Sequence, residues 1–495
     1  MSASDGLSTK VNRGIAWAGS AQAVIAIADL VSQLLVIALW VSADDYGIAL
    51  GAIPFYTALD NMADLGVTSA LIAHDDLTPE RVSTVFWFNM IVSGALFVAL
   101  LGLGPLYGWL QDAPILGWLL IAYGGKLLIQ NVYAIPFALL RKELRYSDIA
   151  IARVVAHLAE SIARIVFAAL GATIWCWTLA ALVRAVVFAA IIQLRHPFLP
   201  KLVFRIRDVM PYVRFGLRSA GSQILYQLYT SMDAPIIFHF FGKTATGIYG
   251  LADSIVLEPV KTIANVVIDV AFPTFARLRH DREQLVAQLI KFTRMNLIVV
   301  LTFVGLILLV IPEFLHAFYT GGKWTVDQLD LASEAARILC VMGVFRALGF
   351  LGPPLLDGVG RPELTLRYMI IATICVPGSF VLGAIVLRGY FAYDAQFLSV
   401  AVAWAIGYPI AFVALSYLVV KTIDLPFREY LAGSGGIVGT CGAGIAAGFA
   451  VSLALPHATD IVRMIAIVGA QLAVTAALLV TWQKITPRSI AASLR

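Results

Sequence analysis

Apolar side chains recur in runs of about twenty residues along nearly the whole chain, and most of the charge sits in the short segments between them. Fourteen such runs can be drawn, at 14–40, 47–73, 82–104, 115–140, 149–170, 174–194, 216–241, 246–272, 291–311, 331–356, 366–387, 395–420, 429–454 and 462–483. At 1.5 Å rise per residue, about twenty residues of helix cross about 30 Å of hydrocarbon, so each run predicts a transmembrane helix. The exceptions to the apolar pattern carry the information. An ionisable group at membrane depth costs about 2.5–3.5 kcal/mol even on a lenient insertion scale, so each one needs a partner, water or a polar substrate.

The fifth run has a stripe of this kind. Arg153, His157, Glu160 and Arg164 follow at spacings of four, three and four. At 100° per residue they fall within an arc of about 60° on one helix face. Pairing within the helix at i,i+3 and i,i+4 would satisfy them without any ligand, and that reading stays open. Arg153 lies near the end of its run and can snorkel, whereas Arg164 is deeper. Elsewhere Lys126 stands in the fourth run and Arg184 near the middle of the sixth. In the tenth run, Arg337 and Arg346 lie nine residues apart and so face opposite ways, with Arg346 nearer the midplane.

The stretch 215–281 opens the second half and holds two apolar runs joined by Gly242-Lys243-Thr244, with Arg218, Asp233, Asp253, Glu258 and Lys261 inside it. Weak repetition links it to the N-terminus. Gly19-Ser20-Ala21-Gln22 is echoed by Gly221-Ser222-Gln223, and Gly47-Ile48 by Gly247-Ile248, an offset of about 200 residues. Between the halves, the basic and proline-containing segment 195–214 breaks the apolar pattern. The expected organisation is an N-terminal lobe over 1–200, a C-terminal lobe over 201–420 and an additional helix pair over 421–495, as in transporters built from repeats.

Composition then fixes the class. Hydrophobic residues make up 60% and charged residues 13%, against about 25% charged in soluble domains. The chain is an all-α, polytopic membrane protein. Its net charge of +5 reflects topology and contact with anionic lipid, and no nucleic-acid partner is expected. Basic residues of the connecting segments cluster on one side, among them Arg141, Lys142, Arg145, Arg195, Lys201, Arg205 and Arg207. Lys243, Lys323, Arg388 and Arg463 fall on the other. The positive-inside rule makes the first side cytoplasmic, with both termini there. The first run is too long for a signal-peptide core and no cleavage site is evident, so no removable leader is expected.

Several chemistries fail the sequence. Cys176, Cys340, Cys375 and Cys441 have no paired spacing and lie in predicted spans, which points to packing and to no metal site. Gly242-Lys243-Thr244 lacks the upstream glycine of a phosphate loop, since Ile237 stands there. No cofactor is expected. Glycines at 433, 435, 436, 439, 442, 444 and 448 predict close helix approach in the thirteenth span. Asp44-Asp45 in the first external turn offers carboxylates to a lipid-dependent glycosyltransferase, although the longest external segment, about 312–330, leaves little room to hold an acceptor.

Asp60-Asn61-Met62-Ala63-Asp64-Leu65-Gly66, continuing through 69–89, resembles the polysaccharide transporter family of Wzx-type flippases, within the superfamily that also holds multidrug extruders and lipid II flippases. The basic loop at 135–146 is similar as well, and so is 246–281, with Glu258-Pro259 and Ala271-Phe272-Pro273. The resemblance covers roughly 10–420. It implies two six-helix lobes around a central cavity in the bacterial inner membrane, and no enzyme. The cargo it implies is an undecaprenyl-diphosphate oligosaccharide for exopolysaccharide, capsule or O-antigen synthesis, with a polysaccharide polymerase and export machinery as further partners. On that reading Lys126, Arg164, Arg184, Arg218, Lys261 and Arg346 line the cavity. Asp29, Asp64, His157, Glu160, Asp233, Asp253 and Glu258 pair with them or couple transport to an ion. A multidrug antiporter of the same fold is the alternative, and a mainly acidic, aromatic cavity would favour it.

Overall fold

The computed structural model describes residues 21–64, 71, 78–207, 210, 225–425 and 427–485, apart from 23 and 228. No strand occurs among the described residues. Their helices fall into two compact units, one up to Gly247 and one from Ile248. Nine helices among the described residues are long and apolar enough to cross a membrane. Each of the fourteen predicted runs contains helix.

The first unit contains α1 (Val24–Leu39), α2 (Ala43–Asp64), α3 (Pro79–Leu110), α4 (Pro114–Lys142), α5 (Tyr146–Ala169) and α6 (Cys176–Arg195). α3 starts where Thr78 accepts a hydrogen bond from the Arg81 amide at 3.3 Å. Pro79 follows at the first helical position, where its missing N–H costs nothing. α3 packs on α4, α4 on α6, and α5 on α6. The α3–α4 approach depends on two glycines, because a Cβ on Gly117 would come within 2.6 Å of the Gly104 carbonyl oxygen. The core around α2 and α4 is made of Tyr56, Leu116, Leu119, Tyr123 and Leu127.

α7 (Asp233–Leu278) is interrupted at Gly242, whose φ of 82° is open to glycine and strained for other residues. The Gly-Lys-Thr element is thus the turn between the seventh and eighth runs.

In the second unit, α7 continues from Ile248 and is followed by α8 (Arg282–Tyr319), α9 (Val326–Gly349), α10 (Gly352–Gly358), α11 (Pro362–Leu382), α12 (Leu398–Ile423), α13 (Phe427–Ala454) and α14 (Asp460–Thr481). α9 begins with a reciprocal cap in which Thr325 and Gln328 satisfy each other's amides. The tenth run, read as one helix over 331–356, is two: α9 ends at Gly349 and α10 restarts at Gly352. Pro353 and Pro354 account for the break, since neither can donate to the preceding turn. α8 is the hub of the unit and packs against α9, α13 and α14, while α12 joins α9 to α11. Where α13 meets α14, Gly444 leaves no room for a Cβ beside Thr475.

Candidate functional site

α5 presents its stripe to α1 and α6. Glu160 is the centre. Its carboxylate takes Arg184 of α6 at 3.0 Å, Arg164 one turn on at 3.6 Å and His157 one turn back at 3.6 Å. His157 Nδ1 also lies 3.1 Å from Asp29 of α1. Ser161 donates to the same Asp29 carboxylate at 3.2 Å. Arg164 extends the contact to α1 by donating to the Asp29 carbonyl at 3.3 Å and to Ser32 Oγ at 2.9 Å. Three helices are thus held together by one polar network.

A second cluster joins α2 to α4. Lys126 Nζ lies 2.5 Å from Asp60 and 2.6 Å from the Tyr123 hydroxyl, and Tyr123 donates to the same Asp60 oxygen at 2.9 Å. Tyr123 stacks on Tyr56 with centroids 3.7 Å apart. Tyr56 shares a hydrogen bond of 2.7 Å with Thr178 of α6. The Lys126 side chain is 3% exposed, so its ammonium depends on Asp60 and Tyr123 for compensation.

The charges of these two clusters compensate one another. Lys126, Arg164 and Arg184 face Asp60, Glu160 and Asp29, with His157 between the acids. Asp29, His157 and Glu160 bring ligand atoms within 4.8 Å of one another, the spacing of a cation site. Both oxygens of Glu160 already face guanidinium groups, and a divalent ion there would meet two further positive charges. The arrangement is an ion-pair network with two polar atoms left over: Asp60 Oδ1 and Arg164 Nε are buried without a partner.

Of the stripe, Arg153 alone turns away, and its guanidinium lies 5.6 Å from the Phe137 ring centroid on α4. Asp233 is buried at the start of α7. Asp64 lies in α2, but its side chain and Arg218 fall outside the described residues. In the second unit Arg346 is buried, with its guanidinium 5.6 Å from the Phe350 ring and 5.9 Å from Trp404. Arg337 is exposed and Asp253 half-buried. Lys261 and Glu258 pair at 3.4 Å with side chains 38% and 50% exposed. Tyr123, Ser32 and Ser161 belong to the polar clusters although the charge pattern did not select them. Tyr123 and Lys126 are three residues apart on one helix face, and that spacing was the available signal.

Where α2 begins and α7 turns at Gly242, the repeated glycines meet. A Cβ on Gly47 would overlap the Lys243 carbonyl oxygen, and one on Gly247 would overlap the Ala43 carbonyl oxygen. Ala43 and Lys243 each stand four residues before their glycine, so the two helix starts cross in an equivalent way. Thr244 donates to Asp44 at 2.5 Å and Lys243 pairs with Asp44 at 3.0 Å, while Thr173 donates to Asp45 at 2.8 Å. Partial burial raises the Asp44 pKa, but the Thr244 and Lys243 contacts outweigh it and hold the carboxyl below its ordinary value.

Compensated charge at membrane depth in a many-helix protein marks a candidate functional site. The fold agrees closely with a solved structure of the lipid II flippase MurJ in an inward closed conformation, with a TM-score of 0.72 at 15% identity over 94% of this chain and 98% of that one. The sequence profile described as "Polysaccharide biosynthesis protein" matches residues 36–327. The chain belongs to that family. It is similar to the lipopolysaccharide biosynthesis protein WzxC of Escherichia coli K12, at 24% identity over 86% of this chain and 84% of that protein. It is also similar to the succinoglycan biosynthesis transport protein ExoT of Rhizobium meliloti 1021, at 23% identity over 79% and 76%. It is a multi-pass protein of the bacterial inner membrane.

Proposed function

We propose that this protein is a flippase that moves an undecaprenyl-diphosphate-linked oligosaccharide from the cytoplasmic to the external leaflet for surface polysaccharide synthesis. The observation that carries the reading is the pair of linked polar clusters on α1, α2, α4, α5 and α6. A diphosphate and a glycan cannot enter hydrocarbon unaided, whereas Arg and Lys at membrane depth can replace the water around the phosphates, with bidentate geometry open to Arg. Lys126, Arg164 and Arg184 are the cations for that task in the first unit. Arg218, Lys261 and Arg346 are the further cations of the same reading. Because Asp29, Asp60 and Glu160 already hold the first three, an incoming diphosphate has to displace carboxylates or be accompanied by their protonation. Asp29, His157 and Glu160 are thereby the groups through which an ion gradient would act, with Asp64, Asp233, Asp253 and Glu258 as further candidates.

The same reading places both termini in the cytoplasm and divides the chain into lobes 1–200 and 201–420 with an additional pair at 421–495. The lobes alternate access between the two leaflets. An apolar groove of about 240 Å³ between α8, α9, α12 and α13, lined by Leu297, Leu301, Val344, Leu348, Phe412 and Leu415, suits an isoprenoid chain. Polymerase and export proteins would take the product. Deleting the gene tests the proposal: lipid-linked oligosaccharide should accumulate on the cytoplasmic leaflet, with its synthesis intact. Unchanged delivery to the external leaflet contradicts it.

A further inference from the structure

The segment after α6 combines a fixed backbone with exposed apolar side chains. Gln193 holds its first turn, accepting from the Phe198 amide at 3.0 Å and donating to the Val132 carbonyl at 2.7 Å. Phe198 packs against Phe86 of α3. The chain then runs along the first turns of α3. The Lys201 amide donates to Ser83 at 3.0 Å and Trp87 donates to the Lys201 carbonyl at 2.9 Å, while Lys201 Nζ pairs with Glu80 at 2.7 Å. A segment held at these points is a fixed part of the fold.

Its side chains point the other way from these anchors. Leu199 is 91% exposed and Leu202 89%, and Phe204 and Ile206 are also exposed. Between and beside them stand exposed bases, Arg195, Lys201, Arg205 and Arg207, and the sequence 195–207 contains no acid. The neighbouring acids are engaged, Glu80 by Lys201 and Asp148 by Arg145 and Arg195. Glu143 takes His196 and Arg145. Arg205 and Arg207 make no ion pair among the described residues. Leucines held outward on a fixed backbone, interleaved with bases at the ends of two membrane-spanning helices, match the boundary between headgroups and acyl chains.

We propose that residues 196–207 are an interfacial strap on the anionic phospholipid of the cytoplasmic leaflet: Leu199 and Leu202 enter the upper acyl region while Arg205 and Arg207 hold lipid phosphates. The charge complementarity is with a phospholipid surface, and the cytoplasmic side follows from the orientation proposed above. By fixing the depth of α3 and α6 on one side, the strap gives the first unit a stationary edge in the leaflet from which the cargo comes.

The test uses the full chain with Cys375→Ser, reconstituted in vesicles of phosphatidylethanolamine and phosphatidylglycerol and spin-labelled at Leu199→Cys or Leu202→Cys. The strap predicts that oxygen, which partitions into lipid, relaxes both labels more than a water-soluble nickel chelate does. Labels relaxed mainly by the nickel chelate overturn it, and so would a surface reserved for a protein partner, because no other protein is present. A basic residue near an anionic surface contributes about 1 kcal/mol. Arg205→Gln and Arg207→Gln should therefore each lower the preference for phosphatidylglycerol over phosphatidylethanolamine around the Leu202 label about fivefold. An unchanged preference overturns the headgroup contact. Neither readout depends on transport, so failure here is distinguishable from failure of the flippase reading.

Discussion

The two units distribute charge at membrane depth differently, clustered in the first and dispersed in the second. The first gathers Asp29, Asp60, Lys126, His157, Glu160, Arg164 and Arg184 into hydrogen-bonded clusters between five helices. The second holds Arg346 buried beside the Phe350 and Trp404 rings, pairs the buried Glu313 with Arg463 at 3.2 Å, and leaves Lys261 with Glu258 as a half-exposed pair. A closed ion network is sensitive to the loss of any member, because removing one partner of a buried pair leaves the other uncompensated. An open pair is cheap to break and free to bind something else. The first unit thus ties its structure to its charges, whereas the Lys261–Glu258 pair of the second can present a cation to a ligand at little cost to the fold.

The largest effect should come from Glu160, which holds two guanidinium groups. Glu160→Ala leaves Arg164 and Arg184 without their shared acid and should destabilise the protein by about 3–5 kcal/mol, read as a lowered midpoint in thermal unfolding of the purified protein. A midpoint unchanged within error would mean that the network does not carry the first unit.

Next in size is the crossing of the repeated glycines. Gly47→Leu has no space beside the Lys243 carbonyl and should open this end of the first unit, seen as faster labelling of a cysteine placed at Ala245 by a membrane-impermeant reagent. Labelling as slow as in the Ala245→Cys protein alone would break the argument that the glycines hold this closure. Asp44 adds a pH signature. Its pKa is below the ordinary value when the contact is made, so its contribution is complete at neutral pH and is lost as the pH falls through that depressed value into the acid range. The thiolate is the nucleophile, so labelling slows in acid by itself. Judged against Asp44→Asn in the same Ala245→Cys background, the Asp44 protein should label more slowly at neutral pH and converge on the Asp44→Asn rate as the pH falls.

The smallest structural effect belongs to the open pair. Lys261→Ala should cost less than about 1 kcal/mol of stability while abolishing export of the glycan. Loss of both together would place Lys261 among the structural charges and erase the contrast between the units.

Much of this architecture can be read from the sequence because hydrocarbon thickness leaves its mark on the length of every apolar run, and the turn at Gly242 because glycine marks a positive φ. The division of the tenth run required weighing Pro353 and Pro354 against an otherwise continuous apolar pattern. Within the site, helical spacing selected His157, Glu160 and Arg164, which do face one way. It did not reveal that Arg184 comes to Glu160 from α6, or that Asp29 meets His157 from α1. Those contacts join residues 24 and 128 positions apart and depend on how helices pack. Uncharged members such as Tyr123 and Ser161 look like ordinary helix residues until a charged neighbour is placed beside them. The 200-residue echo of Gly47 in Gly247 rests on few identities in the sequence, and it gains a physical reason once the two glycines are seen to cross.

The central claim is that the charged clusters of the first unit handle the diphosphate of a lipid-linked glycan. Arg184→Gln tests it most directly: it removes a half-exposed guanidinium while Arg164 stays on Glu160. Leaflet-resolved labelling of lipid-linked oligosaccharide in cells carrying Arg184→Gln at normal membrane abundance should find the glycan retained on the cytoplasmic face. Its delivery to the external face at the unaltered rate would contradict the account.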